Sequence, residues 1–437
     1  MAKLMRFAKT VAVVLATTLR HCFLKREELP PGAVVIAFDP HQKKHRAVAA
    51  QVGGDLLEKP FTVFNSRKGF DFLLGKIAHY LKRTGATEVY LVFEPTADFF
   101  RTFGYLLADL GYHVHLVNSN QVSHMRQALF HNEDKTDDID AFVILELAVQ
   151  GFSFRARLHR DEFRNLHKAG RDRHDLKEKR SALQMQITVL VQEVFPELRQ
   201  AFHSLFGQTC LHLLETTPLP AQMVALGEEA LTAQIQTASH HRLGRKKAQQ
   251  LLALARQSFG VTAANEAVVA RLQRLIAQWR FLTQQMQQVE AEMEKYLPEA
   301  AQSLLQIKGL SVVLVATLLG EIGDWTFFSQ ANQLVKLAGM SPKRWASGEQ
   351  EKAPHLSRKG QPLLQYTVYL CALSLVHHNP AFRAYYQSLC QRGKPKMVAL
   401  CAVARKFLQV VFAMLQNGTE FDPRLVGAGQ SQPHPAP

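Results

Sequence analysis

Four acidic residues in the first third of the chain stand where carboxylates can act together. Asp39 closes the apolar run VVIAFD (34–39), and Glu94 closes EVYLVFE (88–94), with Pro40 and Pro95 immediately after them. Short β-branched and aromatic runs of this kind read as strands, and the carboxyl end of a strand in an α/β fold opens onto the crevice that binds ligands. Asp137 and Asp140 lie in KTDDIDA (135–141), three apart and therefore on one face if this segment is the first turn of a helix. Each feature alone has an ordinary reading. Asp at a strand-to-loop junction serves turn chemistry, and acids at a helix N-terminus suit the macrodipole. Together they imply more, because carboxylates about 4 Å apart repel by roughly 1 kcal/mol in water and about 4 kcal/mol at an effective dielectric of 20. A cation removes that cost. Oxygen donors select Mg²⁺ or Mn²⁺, and two such ions about 3.5–4 Å apart would clamp the attacking and leaving oxygens of a phosphodiester displacement.

The elements that must position these acids follow from the pattern around them. From Val34 to about Gly151, strands at 34–39, 46–52, 88–94 and 113–118 alternate with helical stretches at 68–85 and 97–111, which predicts an α/β sheet domain. Beyond 152 the strand signal stops. Between Arg155 and Arg180 lie ten Lys or Arg, three His and five Asp or Glu, and the segment runs into Leu176, Leu183, Ile187, Leu190 and Val194 as a long helix with a basic face. A second long helix is marked by Val268, Leu272, Leu275, Trp279, Leu282, Met286, Val289 and Met293, which alternate steps of four and three until Pro298. These are coiled-coil steps, and the two helices can pair with each other or with a second subunit. The stretch 205–260 reads as helical, broken at Pro218 and Pro220.

After Pro298, IKGLSVVLVATLLGEIGD (307–324) places Gly309 between two helical stretches. That resembles a helix-hairpin-helix, whose turn and following helix N-terminus suit a DNA phosphate; an ordinary buried helix after a glycine turn fits equally. A polar, basic loop is expected from Gly339 to Gly360, then helices at 362–376 and about 395–416, then a disordered tail rich in Gly, Pro and Gln. The resulting division is an N-terminal extension (1–33), an acidic α/β domain (34–151), a helical coiled-coil region (152–298), a mostly α-helical C-terminal domain (299–416) and the tail (417–437).

Composition favours one class of partner, a basic protein with no such partner being the alternative. The 437 residues carry 52 Lys and Arg against 37 Asp and Glu, a formal charge of +15, which favours a polyanion, with nucleic acid first. The 47% apolar content excludes a disordered chain. Cys22, Cys210, Cys371, Cys390 and Cys401 are scattered without a CxxC pair, so a reduced cytoplasmic setting is expected. Near the N-terminus Lys3, Arg6 and Lys9 precede an uncharged run from Thr10 to Leu19. This run is too short to span a membrane; it reads as part of an amphipathic extension ending at Pro30-Pro31-Gly32, with a signal peptide as the alternative. No membrane partner is expected.

FDPHQKKH (38–45), FEPTAD (93–98), KTDDIDA (135–141), GLSVVLVATLLGEIGD (309–324), LAGMSPK (337–343), ASG (346–348), SRKG (357–360) and GKPKMVALCAVARK (393–406) stand in an order and spacing that resembles the DEDD transposases of the insertion-sequence one-ten type. The resemblance runs from about residue 34 to 416. It implies a RuvC-like, RNase-H-fold N-terminal domain carrying four metal-binding acids, a coiled coil, and a C-terminal transposase domain carrying a serine. The implied activity is site-specific DNA recombination of a mobile element with Mg²⁺ or Mn²⁺, directed by a structured guide RNA. Carried over by position, Asp39, Glu94, Asp137 and Asp140 match the metal-binding acids, and Ser347 matches the serine proposed to attack DNA. Lys343, Arg344, Arg358 and Lys359 are the candidates to hold the scissile phosphate, and Ser341 and Ser357 are the competing serines. Asp138 stands where the family usually has a basic residue, so the third ligand is either Asp137 or Asp138. Pairing of the long helices and two-strand chemistry imply a homodimer or tetramer. Two other readings remain open: a metal-dependent endonuclease or junction resolvase using water, and an inactive nucleic-acid-binding relative whose acids only cap helices and turns.

Overall fold

A computed structural model describes residues 29–95, 99–130, 136–159, 161–261, 266–347, 350–356 and 360–427, without the side chains of 161–162, 343–347 and 350–356. They fall into two compact units that part between Leu158 and His159.

The first unit contains β1 (Val34–Pro40), β2 (Lys44–Gln51), β3 (Phe61–Phe64), α1 (Arg67–Thr84), β4 (Val89–Phe93), α2 (Arg101–Asp109), β5 (His113–Leu116), α3 (Ser119–Phe130), α4 (Asp137–Val149) and β6 (Phe154–Arg155). The expected α/β domain is therefore present as one mixed sheet, in the order β3-β2-β1-β4-β5-β6. β1 runs antiparallel to β2 and parallel to β4, and β4 runs parallel to β5. The short strands β3 and β6 and the helix α3 are additions to what the pattern predicted.

β1 is buried on both faces, and its alternation decides where the site lies. Val34, Ile36 and Phe38 pack with Leu73 and Ile77 of α1 and Phe103 and Leu107 of α2. Val35 and Ala37 pack on the other face with Val92 and with Ala141, Ile144 and Ala148 of α4. Asp39 continues that second series, so its side chain leaves the sheet on the α4 side. Phe38 and Phe93 stack with ring centroids 4.5 Å apart, fixing the ends of β1 and β4 side by side.

The second unit contains α5 (Asp161–Val194), α6 (Leu198–Ala201), α7 (Gln208–Thr216), α8 (Pro220–Ser239), α9 (Arg245–Arg256), α10 (Glu266–Lys295), α11 (Ala301–Leu305), α12 (Val312–Ile322), α13 (Ala331–Leu337), the hairpin β7 (Pro342–Ser347) and β8 (Gln350–Leu356), α14 (Pro362–His378), α15 (Pro380–Gln391), α16 (Lys396–Asn417) and α17 (Arg424–Gly427). The long helices α5 and α10 pack along one another within the chain. Ile187, Leu190 and Val194 of α5 share a core with Leu272, Leu275 and Ile276 of α10 and with α7 to α9. At the other end Leu166 and Ala169 meet Val289 and Met293 in a core completed by α12, α14 and α16. The N-terminal half of one helix lies beside the C-terminal half of the other, so the pair is antiparallel. α10 stops at Lys295, three residues before Pro298.

Two expectations are corrected. The stretch from Gly339 to Gly360, read as a loop, holds β7 and β8, paired antiparallel from Pro342↔Leu356 to Ser347↔Gln350; cross-strand partners stabilise polar strands that composition reads as loop. The tail read as disordered from Asn417 continues in order to Gly427, with Val426 buried in the core, while residues 428–437 lie outside the described residues. Of the N-terminal extension only residues 29–33 are described, and Leu29 packs in the core beside α4. At the helix-hairpin-helix-like segment, Gly309 sits at φ 107°, and a Cβ there would meet His378 at 3.1 Å and the Ser374 carbonyl at 3.2 Å. The glycine is thus required by packing against α14. By length and composition α16 is apolar enough to cross a membrane, but Val403, Phe407 and Val411 line the core. Cys210, Cys371, Cys390 and Cys401 are free thiols.

Candidate metal centre

The site is assembled by three rigid local structures. β1 delivers Asp39, which is only 6% exposed. The turn from β1 to β2 delivers His41, whose backbone amide donates to the Lys44 carbonyl at 3.2 Å. α4 delivers Asp137, Asp138 and Asp140 in its first turn; Thr136 caps it by accepting the Ile139 amide at 3.3 Å. Acids there also face the positive end of the helix dipole, so the expected helix start and its electrostatics agree.

The side chains converge unequally. His41 Nε2 lies 3.2 Å from Asp39 Oδ2 and 3.5 Å from Asp137 Oδ1, and one donor atom from each of the three residues lies within 4.8 Å of the others. Asp140 is buried, and its Oδ1 accepts a hydrogen bond from the Arg126 guanidinium of α3. Asp138 points elsewhere: Arg46 of β2 grips it with Nε and with Nη2, the latter at 3.1 Å, while Arg46 Nη1 donates to Thr62 Oγ1 at 2.9 Å. Arg46 holds the Asp138 carboxyl below the usual carboxylate range, chiefly through the hydrogen bond. Asp39 is pushed the other way. Burial raises its pKa first, and Asp140 and Asp137 raise it further, while His41 opposes them. Arg46 and Arg126 answer Asp138 and Asp140, whereas Asp39 and Asp137 share the His41 imidazole between them.

Glu94 follows the last rung of the β1–β4 ladder, Phe38↔Phe93, and its amide lies 3.5 Å from the Phe38 carbonyl. It therefore leaves β4 one step beyond the pair that precedes Asp39. Ser347 ends β7 in the second unit, opposite Gln350, and Lys343 and Arg344 lie in the same strand. Arg358, Lys359 and Ser357 lie outside the described residues. The pattern did not single out His41, Arg46 or Arg126. His41 was visible two residues after Asp39, but the partner of Arg46 is 92 residues away and leaves no periodic trace.

The donor set fits a divalent cation: carboxylate oxygens, one of them buried with a raised pKa, around a position framed by a strand end, a turn and a helix N-terminus. A model described as "Transposase", for the DEDD type of IS110, matches residues 36–196, and one described as "Transposase IS116/IS110/IS902 family" matches residues 301–387. An insertion element IS110 uncharacterized 43.6 kDa protein of Streptomyces coelicolor is 35% identical over 28% of this chain and 30% of its own length. A pilin gene-inverting protein of Moraxella bovis is 29% identical over 30% of this chain and 41% of its own length. In these two comparisons the chain spans less than half of the relative. An insertion element IS116 uncharacterized 44.8 kDa protein of Streptomyces clavuligerus is 25% identical over 73% of this chain and 80% of its own length. Among solved structures, T. thermophilus RuvC in complex with Holliday junction substrate matches at 15% identity with a TM-score of 0.21, covering 28% of this chain and 99% of that one.

Proposed function

Because this chain belongs to the family of IS110-type DEDD transposases, we propose that it cuts and rejoins DNA as the recombinase of a mobile element, with Asp39, Glu94, Asp137 and Asp140 as its metal-binding acids. The observation that carries this reading is the convergence of Asp137, Asp140 and His41 on a buried Asp39 at the carboxyl end of a central strand. The similarity to a pilin gene-inverting protein supports recombination in preference to cleavage alone.

In this reading the N-terminal domain is of the RNase-H and RuvC type, and Mg²⁺ or Mn²⁺ bound at the acids supplies Lewis-acid charge to a phosphodiester oxygen. The chain's own residues do the holding. Asp39 and Glu94 stand on neighbouring strand ends, Thr136 fixes the first turn of α4, and Arg46 draws Asp138 away, which favours Asp137 over Asp138 as ligand. Ser347 is the nucleophile: its Oγ bonds to phosphorus, one P–O ester bond breaks, and the departing strand leaves as a protonated hydroxyl end. The serine proton passes to a neighbouring base or to solvent. Lys343, Arg344, Arg358 and Lys359 hold the phosphate. The basic face of α5 suits a structured guide RNA, and two-strand chemistry calls for a dimer or tetramer.

Trapping the protein on cleaved element-end DNA tests this. Wild type is expected to give a denaturant-resistant protein–DNA adduct, and Asp39→Ala none. Ser347→Ala giving the same adduct would remove the serine from its role, and adduct formation by Asp39→Ala would remove the metal site.

A further inference from the structure

The geometry points to His41 as a nitrogen ligand of the cation held by Asp39 and Asp137, giving the centre a mixed donor set that prefers Mn²⁺ to Mg²⁺. This rests on the metal-site reading above and adds a ligand to the four acids.

The first argument is spacing. Donors about 2.1 Å from an octahedral ion are about 3.0 Å apart when adjacent and about 4.2 Å apart when opposite. The His41 nitrogen is 3.2 Å from Asp39 Oδ2 and 3.5 Å from Asp137 Oδ1, and all three donor atoms lie within 4.8 Å of one another. The two separations from His41 are close to those of adjacent ligands on one ion.

The second argument is placement. Pro40 fixes the chain just before His41, and the bond from the His41 amide to the Lys44 carbonyl closes the turn between β1 and β2. The imidazole is therefore delivered from a short, paired hairpin. Its side chain is 46% exposed, so a hydrated ion can reach it without the core opening.

The third argument is the neighbouring charges. Arg46 engages Asp138 and Arg126 engages Asp140, so the nearest protein group facing both Asp39 and Asp137 is this imidazole. A neutral imidazole binds later first-row metals readily, whereas Mg²⁺ favours oxygen and retains its water. A site with His41 in it discriminates among ions that four carboxylates would treat more alike.

The test uses the full-length protein stripped of metal, with Mn²⁺ and Mg²⁺ as the only probes. Pulsed electron paramagnetic resonance of bound Mn²⁺ is expected to show coupling to ¹⁴N in wild type and none in His41→Ala. Competition titration is expected to show Mn²⁺ affinity falling at least tenfold in His41→Ala and His41→Gln, with Mg²⁺ affinity changing less than threefold. His41→Gln retains a polar side chain in the turn and guards against loss of folding, which melting curves monitor. If Mn²⁺ binds in an Asp39-dependent way but its ¹⁴N coupling is absent, or survives in His41→Ala, the nitrogen ligand is refuted while the acidic site stands. Tighter Mn²⁺ binding in His41→Ala also refutes it, by making the imidazole a competitor for the ion's place. If neither ion binds in an Asp39-dependent way, the acidic site fails and this inference fails with it.

Discussion

Asp39→Asn should stabilise the metal-free protein. The Asp39 and Asp137 donor oxygens lie within 4.8 Å of each other, a separation at which two unit charges repel by about 0.9 kcal/mol in water and about 3.5 kcal/mol at an effective dielectric of 20. Asp137 is half exposed, which pulls the value toward the lower end, so about 1–2 kcal/mol is expected. Asparagine keeps the volume and can still accept a hydrogen bond from His41. For a unit of this size, that gain raises the melting temperature by roughly 3–8 °C. The sign is specific to pH. Burial, with Asp140 and Asp137, raises the Asp39 pKa in the folded state. The stability linked to its proton is therefore present below the ordinary Asp value and lost as pH rises through the raised one. The advantage of asparagine is thus expected at pH 7 and absent under strongly acidic conditions. A cation reverses the order, because Mn²⁺ at a hundredfold excess over its dissociation constant adds about 2.7 kcal/mol to the protein that binds it. Differential scanning calorimetry of both proteins, in chelator and in Mn²⁺, reads all four values. If Asp39→Asn melts lower than wild type in chelator, or gains as much from Mn²⁺, the reasoning is refuted.

Two further outcomes follow from packing away from the centre. His45 is fully buried against Phe103 with neither ring nitrogen hydrogen-bonded among the described residues, and burial, aided by His41, lowers its pKa from 6.5 to about 4. The unfolded chain thus takes up a proton that the folded one refuses between these values, and wild type should lose on the order of 3 kcal/mol as pH falls from 6.5 to 4. Urea midpoints at pH 7.5 and 4.5 should show a smaller loss in His45→Leu; an equal loss would assign the acid sensitivity elsewhere. In the second unit a Cβ on Gly320 would lie 2.8 Å from the His167 backbone nitrogen, so Gly320→Ala should push α12 from α5 and cost about 1–3 kcal/mol. An unchanged melting temperature would mean that the two helices are free to separate there.

What could be read from the sequence was periodic or terminal. The apolar run VVIAFD, the four-three stepping of α10 and the acidic first turn of α4 each depend on residues within a few positions of one another, and all three appear in the fold. β3 buries only Val63 of its four residues, so no apolar face marks it. β7 and β8 are polar strands that owe their existence to each other, and α3 buries only Val122 and Met125, so its stripe is faint. The acids were legible for the same local reason. Their counter-charges were not, because Arg46 lies on β2 and Arg126 on α3, far along the chain from Asp138 and closer to Asp140 in space than in any periodic sense.

Those counter-charges bear on how three aspartates crowded into one turn can play different parts. Successive residues on a helix diverge by about 100°, while residues three apart nearly realign. Asp138 is drawn to Arg46, which is itself tied to Thr62 of the next strand, and this anchors the first turn of α4 against β2 and β3. With Asp138 directed there, Asp137 turns toward the β1–β2 hairpin, where it meets His41, and Asp140 comes back to the same face, buried beside Asp39. A basic residue at position 138 would face Arg46 as a like charge and lose this tether. The extra acid, which at first sight competes for the cation, thus orients the two that remain.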